Sequence, residues 1–221
     1  MATRGLLEQN LSRKLVHITS GPLFVLTWPF FSAGSTARYF AAVVPLLNAL
    51  RLFLVGTGVV KSEGTVKAVS RSGDRQELLR GPLFYVLIMT AVTVVFWRES
   101  PVGLMVLSLM CGGDGLADII GRKFGTAKLP FNTSKSWAGS AAMFAGGAVT
   151  SLAFIALFNT LGFFPYTVQT LLPSVLATAL AASAVESLPI NQTLDDNFSV
   201  PAITAVMGHF LVNAIHQTAA F

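Results

Sequence analysis

The chain has 221 residues, 53% of them hydrophobic and only 11% charged, with a formal net charge of +5 and a mean hydropathy of +0.66. These proportions exclude an ordinary soluble domain and describe an integral membrane protein, with room for about six or seven spans of roughly 20 residues and short connections. The positive balance does not indicate nucleic acid, because the cations are spread over segments flanking apolar blocks, where membrane topology accounts for them.

In chain order, apolar blocks predict spans near residues 15–33, 38–60, 82–98, 101–120, 137–160, 168–187 and 199–220. Breakers such as Gly81-Pro82, Pro101, Pro189 and Pro201 stand mostly at block edges, where helices start or stop. The expected fold is all-α: one polytopic helix bundle of six to seven transmembrane helices, a single domain over residues 1–221. With seven spans, twelve of the fifteen Lys and Arg residues share one side, including Arg13, Lys14, Arg71 and Arg80. Arg38 and Arg98 fall on the other side and Arg51 within a span, so the amino terminus is expected on the cytoplasmic or equivalent side. Residues 1–10 are too short and serine-poor to read as a transit peptide.

The chemistry concentrates between the fourth and fifth blocks. Gly112-Gly113-Asp114-Gly115 leads through Asp118 to Arg122, Lys123, Lys128, Asn132, Lys135 and Gly139. Asp114 and Asp118, at i and i+4, fall on one helical face, and the glycines permit close backbone approach to a ligand. This acidic-then-basic pattern suits a metal-bound phosphate or nucleotide. A second acidic site, Asp195-Asp196, falls on the same side, as does Glu186 at the end of the sixth block, where an idle carboxylate is costly. No Gly-x-x-x-x-Gly-Lys-Ser/Thr run is present, so the soluble phosphate-binding loop is excluded. Clustering of ionisable groups at one interface favours an enzyme with a water-soluble co-substrate over a transporter, whose polar groups line a path near the midplane.

Several stretches carry a resemblance beyond the cassette. Arg13-Lys14-Leu15-Val16-His17, Glu77-Leu78-Leu79-Arg80-Gly81-Pro82, Lys135-Ser136-Trp137-Ala138-Gly139, Val185-Glu186-Ser187-Leu188-Pro189 and Asp195-Asp196-Asn197 together resemble the polyprenol kinase family. The likeness runs nearly end to end and is nearer to the plastid phytol kinases than to farnesol or dolichol kinases. It implies transfer of the γ-phosphate of a nucleoside triphosphate, typically CTP, to the hydroxyl of an isoprenoid alcohol. It also implies a chloroplast membrane, with the basic side facing the stroma.

Phosphoryl transfer needs charge neutralisation and in-line positioning more than covalent help. Asp114, Asp118 and Asp196 are therefore candidate Mg²⁺ ligands, and Asp195, Asp196 and Glu186 candidate catalytic carboxylates. Lys135, Arg122, Lys128, Asn132, Gly113, Gly115, Arg80 and Lys14 are candidate nucleotide or phosphate contacts. Bland readings stand beside these: Asp118 pairs with Arg122 at i+4, the cations are topology signals, and Asp195 caps the last helix. The expected partners are an isoprenoid alcohol, the nucleotide and membrane lipid. A cytidylyltransferase acting on a lipid phosphate is the nearest alternative; a solute transporter is the alternative from another class.

Overall fold

The computed structural model describes residues 9–189 and 195–218. The first eight residues and residues 190–194 of the acidic loop, both read above from sequence, lie outside the described residues. The helices are α1 (Gln9–Val25), α2 (Ala37–Thr57), α3 (Glu63–Val69), α4 (Gly81–Val95), α5 (Pro101–Ser108), α6 (Asp114–Phe124), α7 (Trp137–Thr160), α8 (Val168–Ser187) and α9 (Asp196–Thr218). A hairpin of β1 (Lys128–Leu129) and β2 (Asn132–Ser136) precedes α7. The expected all-α polytopic bundle is thus the fold, with two short strands added.

Six stretches among the described residues are long and apolar enough to cross a membrane: Ala37–Thr57, Arg75–Val95, Pro101–Phe124, Trp137–Thr160, Val168–Ser187 and Asp196–Gln217. At 17 residues α1 is shorter, about 26 Å long at 1.5 Å per residue. It still traverses the bundle, since Lys14 meets Asp114 at one end and Trp28, just beyond it, stacks on Trp97 at the other. The first predicted span, 15–33, is therefore displaced: the helix starts earlier, stops at Val25 and gives way to a short 3-10 turn at Trp28–Phe30. Pro29 suits the start of that turn, where its missing N–H costs nothing.

The centre of the bundle is α5, all eight of whose residues are buried. Its apolar character on every side is what a helix surrounded by other helices requires. It continues through a π-helical turn, Leu109–Gly113, into α6. That turn is pressed against α7: a Cβ on Gly113 would lie 2.9 Å from Met143 Sδ. Outward-facing Phe40, Leu47, Leu180 and Phe210 are exposed, the apolar surface expected toward lipid.

At the end remote from the charged loops, Arg98 is buried and fully engaged. Its Nη1 donates to the carbonyls of Trp28 (3.1 Å) and Phe31 (2.7 Å), and Nη2 donates to Ser32 (2.8 Å). The guanidinium also lies 4.6 Å from the Phe163 ring centroid. One side chain thus serves three main-chain carbonyls where the chain turns from α1 toward α2, of which that of Trp28 also accepts from Phe31 N. Arg98→Met is expected to cost about 2–5 kcal/mol, since buried acceptors lose their donor. Thermal unfolding in detergent should show a clearly lowered midpoint; an unchanged midpoint would contradict this role.

Candidate active site

The opposite end gathers the charged residues of five separated segments. The first half of α1, up to its midpoint, supplies Lys14 and His17, and the first turn of α6 supplies Asp114. The hairpin supplies Lys135, the last turn of α8 Glu186 and the first turn of α9 Asp196. The hairpin holds Lys135 in place because Ser136 caps α7, its Oγ accepting from Gly139 N at 3.2 Å. Asn132 ties the same hairpin to the end of α8, donating to the carbonyls of Ser187 (3.0 Å) and Leu188 (3.2 Å).

Carboxylate oxygens of Asp114, Glu186 and Asp196 all lie within 4.8 Å of one another. Two ammonium groups are threaded among them. Lys14 Nζ donates to Asp114 Oδ2 at 3.0 Å, while Lys135 Nζ donates to Glu186 Oε1 and, at 3.0 Å, to Asp196 Oδ2. His17 Nε2 lies 3.4 Å from Asp114 Oδ2 and 3.0 Å from the Met110 carbonyl. Burial alone would lower the affinity of Lys135 for its proton, but Glu186 and Asp196 outweigh it and hold the ammonium above its ordinary 10.5. A raised folded-state value means the pairing energy is fully present below the unfolded value and is lost only as pH rises through the folded one. Lys135 is therefore charged throughout the neutral range.

The cluster fits a divalent cation. Three carboxylates against two ammonium groups leave a net negative charge, and oxygen ligands suit a hard ion such as Mg²⁺. Glu186 Oε2 is buried and has no hydrogen-bond partner among the described residues, an unpaid cost that a cation would remove.

Around the cluster opens a polar cavity of about 520 Å³, lined also by Arg13, Arg122, Lys128, Ser134 and Ser140. A second cavity of about 860 Å³ lies beside it, lined by Arg51, Arg80, Leu52, Val69, Phe84 and neighbours. The candidate residues divide accordingly. Asp114, Glu186, Asp196, Lys14 and Lys135 come together; Arg122 and Lys128 reach the same cavity, and Asp195 lines both cavities.

Others are placed differently. Asp118 lines the smaller cavity too, but it is gripped by Arg122, whose Nη2 donates to Oδ1 at 2.9 Å, and stands outside the three-carboxylate group. Asn132 spends its amide on the α8 carbonyls and its Oδ1 on Ser134, at 2.6 Å from the hydroxyl, and does not line the cavity. Gly113 and Gly115 do not line either cavity: a Cβ on Gly115 would lie 2.1 Å from Ile18 Cγ1, so the missing side chain serves helix packing. Arg80 precedes α4 and faces the larger cavity alone. Arg51 there donates to Thr65 Oγ1 at 2.7 Å. His17 and Arg13, both in the Arg13–His17 stretch that carries the family resemblance, also border the site; their spacing one helical turn apart beside Lys14 was the available signal.

No protein-family model matches the chain, and no solved structure matches it. Among curated proteins, phytol kinase 1, chloroplastic, of Arabidopsis thaliana is 50% identical over 209 residues, covering 95% of this chain and 69% of that protein. The probable phytol kinase, chloroplastic, of Triticum aestivum is 48% identical over 211 residues, with 96% and 70% covered. Farnesol kinase, chloroplastic, of Arabidopsis thaliana is 45% identical over 208 residues, with 94% and 67% covered. With close to half its residues shared along nearly its whole length, the chain belongs to the polyprenol kinase family, among its phytol and farnesol kinases.

Proposed function

We propose that this chain is a membrane-embedded, Mg²⁺-dependent kinase that moves the γ-phosphate of CTP to the hydroxyl of an isoprenoid alcohol, phytol first among them. The names of its relatives supply the acceptor class. The observation that carries the reading is the group of Asp114, Glu186 and Asp196 interleaved with Lys14 and Lys135 beneath a basic, water-accessible cavity. Such a group neutralises a triphosphate and its ion together. A transporter reading has less support, because the central α5 carries no ionisable side chain along its buried length.

Asp114, Glu186 and Asp196 would hold Mg²⁺, which when bound withdraws charge from the phosphate oxygens. The chain's own contribution is electrostatic and positional. Arg122 and Lys128, which line the cavity, bind the outer phosphates, Arg122 through the N–H groups that Asp118 does not hold and Lys128 as a point charge. Lys135 and Lys14 keep the three carboxylates at fixed separations before the ligands arrive, so little reorganisation remains for the chemical step. The ionisable groups sit at one end of the bundle, which we assign to the stromal face of a chloroplast membrane, in keeping with the relatives' names.

The test is product formation by membranes containing the chain, given phytol, Mg²⁺ and each common nucleoside triphosphate in turn. Phytyl monophosphate should appear by mass spectrometry, with CTP the best donor. Absence of an isoprenoid monophosphate from phytol, farnesol and geranylgeraniol alike would overturn the assignment.

A further inference from the structure

The two cavities differ in chemistry and touch along one seam. The smaller is walled by ammonium, guanidinium and carboxylate groups. The larger combines a polar end with apolar walls from Leu52 of α2, Ala68 and Val69 of α3, and Phe84 and Val86 of α4. Arg13, His17, Arg71, Asp195 and Asn197 line both. At about 860 Å³ the larger cavity lies within the roughly 300–1,000 Å³ that small-molecule ligands occupy. Its wall is open sideways: Val16 of α1 is 41% exposed and so is Phe84 of α4. None of the residues of α3 is buried.

The seam holds polar atoms without partners. Arg13 Nε and Nη2 and Asn197 Oδ1 are buried and make no hydrogen bond among the described residues. Such groups are costly unless a ligand completes them, and a guanidinium edge calls for an anion. Asp195 is fixed at the same place, its Oδ1 accepting from Asn197 N at 2.9 Å and Nδ2 at 2.8 Å. Its Oδ2 turns toward α4, where a Cβ on Gly81 would lie 3.3 Å away. Any residue larger than glycine at position 81 would crowd that oxygen.

We infer that the larger cavity is the acceptor chamber: the isoprenoid chain lies along its apolar walls and leaves between Val16 and Phe84, and the hydroxyl reaches the donor at the seam. This assignment rests on the kinase reading above. Asp195 Oδ2 takes the hydroxyl proton as the alcohol oxygen forms its bond to the γ-phosphorus. The bond from that phosphorus to the β–γ bridging oxygen breaks, its electron pair leaves on the nucleoside diphosphate, and Arg13 binds the phosphoryl group in passage. Arg51 and Arg80 serve the acceptor side, at the chamber's polar lining, instead of the nucleotide.

A photoreactive isoprenoid alcohol carrying a diazirine on its chain tests this on the wild-type protein in membranes, without turnover. Labelling is expected on residues 64–69 and 82–86, displaced by phytol and not by CTP. Kinetics of Ala68→Phe, a change on a short surface helix, supply a second measure. The KM for phytol should rise about tenfold while the KM for CTP stays within about twofold. Labelling confined to residues of the smaller cavity, or a raised KM for CTP with that for phytol unchanged, would overturn the chamber. Wild-type turnover measured on the same membranes judges the kinase reading separately, because photolabelling does not depend on it.

Discussion

Asp114→Asn is expected to lower phosphoryl transfer by about a thousandfold or more, the scale on which removal of a group bearing directly on transferring phosphate acts. The amide keeps the size and most hydrogen-bonding capacity of the carboxylate, so the variant should remain folded and membrane-inserted. Asp114 is singled out by its surroundings: its side chain is 13% exposed, with Lys14 at 3.0 Å and His17 at 3.4 Å from the same oxygen. Removing its charge leaves Lys14 uncompensated and replaces an anionic oxygen ligand of the ion with a weaker neutral one. Asp118→Asn is the internal control. That carboxylate is already spent on Arg122 at i+4, a pair worth about 0.3–0.5 kcal/mol, and turnover should stay within about tenfold of wild type. The assay is initial rate per folded protein in detergent micelles; wild-type turnover by Asp114→Asn would remove it from the site.

Lys135→Met is expected to lower turnover by about a hundredfold or more and to change how the protein responds to divalent ions. In the wild type one ammonium bridges Glu186 and Asp196, whose side chains are 4% and 21% exposed. Without it three carboxylates face one another with only Lys14 and His17 to offset them, and like charges so placed repel. Thermal stability should therefore fall in the absence of metal. Added Mg²⁺ should raise the unfolding midpoint of the variant by more than it raises that of wild type, because the ion binds only the folded carboxylate group. Lys135→Arg should not restore activity, since a planar guanidinium cannot occupy the position of a compact ammonium between two carboxylates. Equal metal responses in wild type and Lys135→Met would show that the three carboxylates do not form one site.

Much of this arrangement is legible in the residues, and what is not has identifiable physical causes. Block hydropathy locates the six membrane-crossing stretches, and the basic bias puts the charged loops at one end, where the bundle gathers them. Asp118 is ambiguous in the sequence because i+4 spacing serves two purposes at once. It puts Asp118 on the face of Asp114 and also brings it to Arg122, and sequence cannot decide which neighbour claims a carboxylate. Glu186 was recognisable as a buried acid needing a cation, but its closeness to Asp114, 72 positions away, comes from α6 and α8 both packing on α7. The hairpin was invisible: strands of two and five residues carry no readable alternation. Gly113 and Gly115 mark close approach, as glycine does, here to Met143 and Ile18. Arg98 looked like a loop cation because its acceptors are main-chain carbonyls contributed by Trp28, Phe31 and Ser32, which leave no trace in residue identity.

The seam between the cavities gives these observations a chemical order. On the proposed reading a soluble donor would enter the polar side and an amphiphile the other, to meet where Arg13 and Asn197 hold unsatisfied polar atoms.

The most direct measurement is the fate of label from CTP carrying radioactive phosphorus at the γ position and, separately, at the α position, given to membranes containing the protein with phytol and Mg²⁺. The γ-label alone should enter a phytyl monophosphate. Label from the α position appearing on a lipid phosphate, with none from the γ position on any isoprenoid alcohol, would contradict the kinase reading and identify a nucleotidyl transferase.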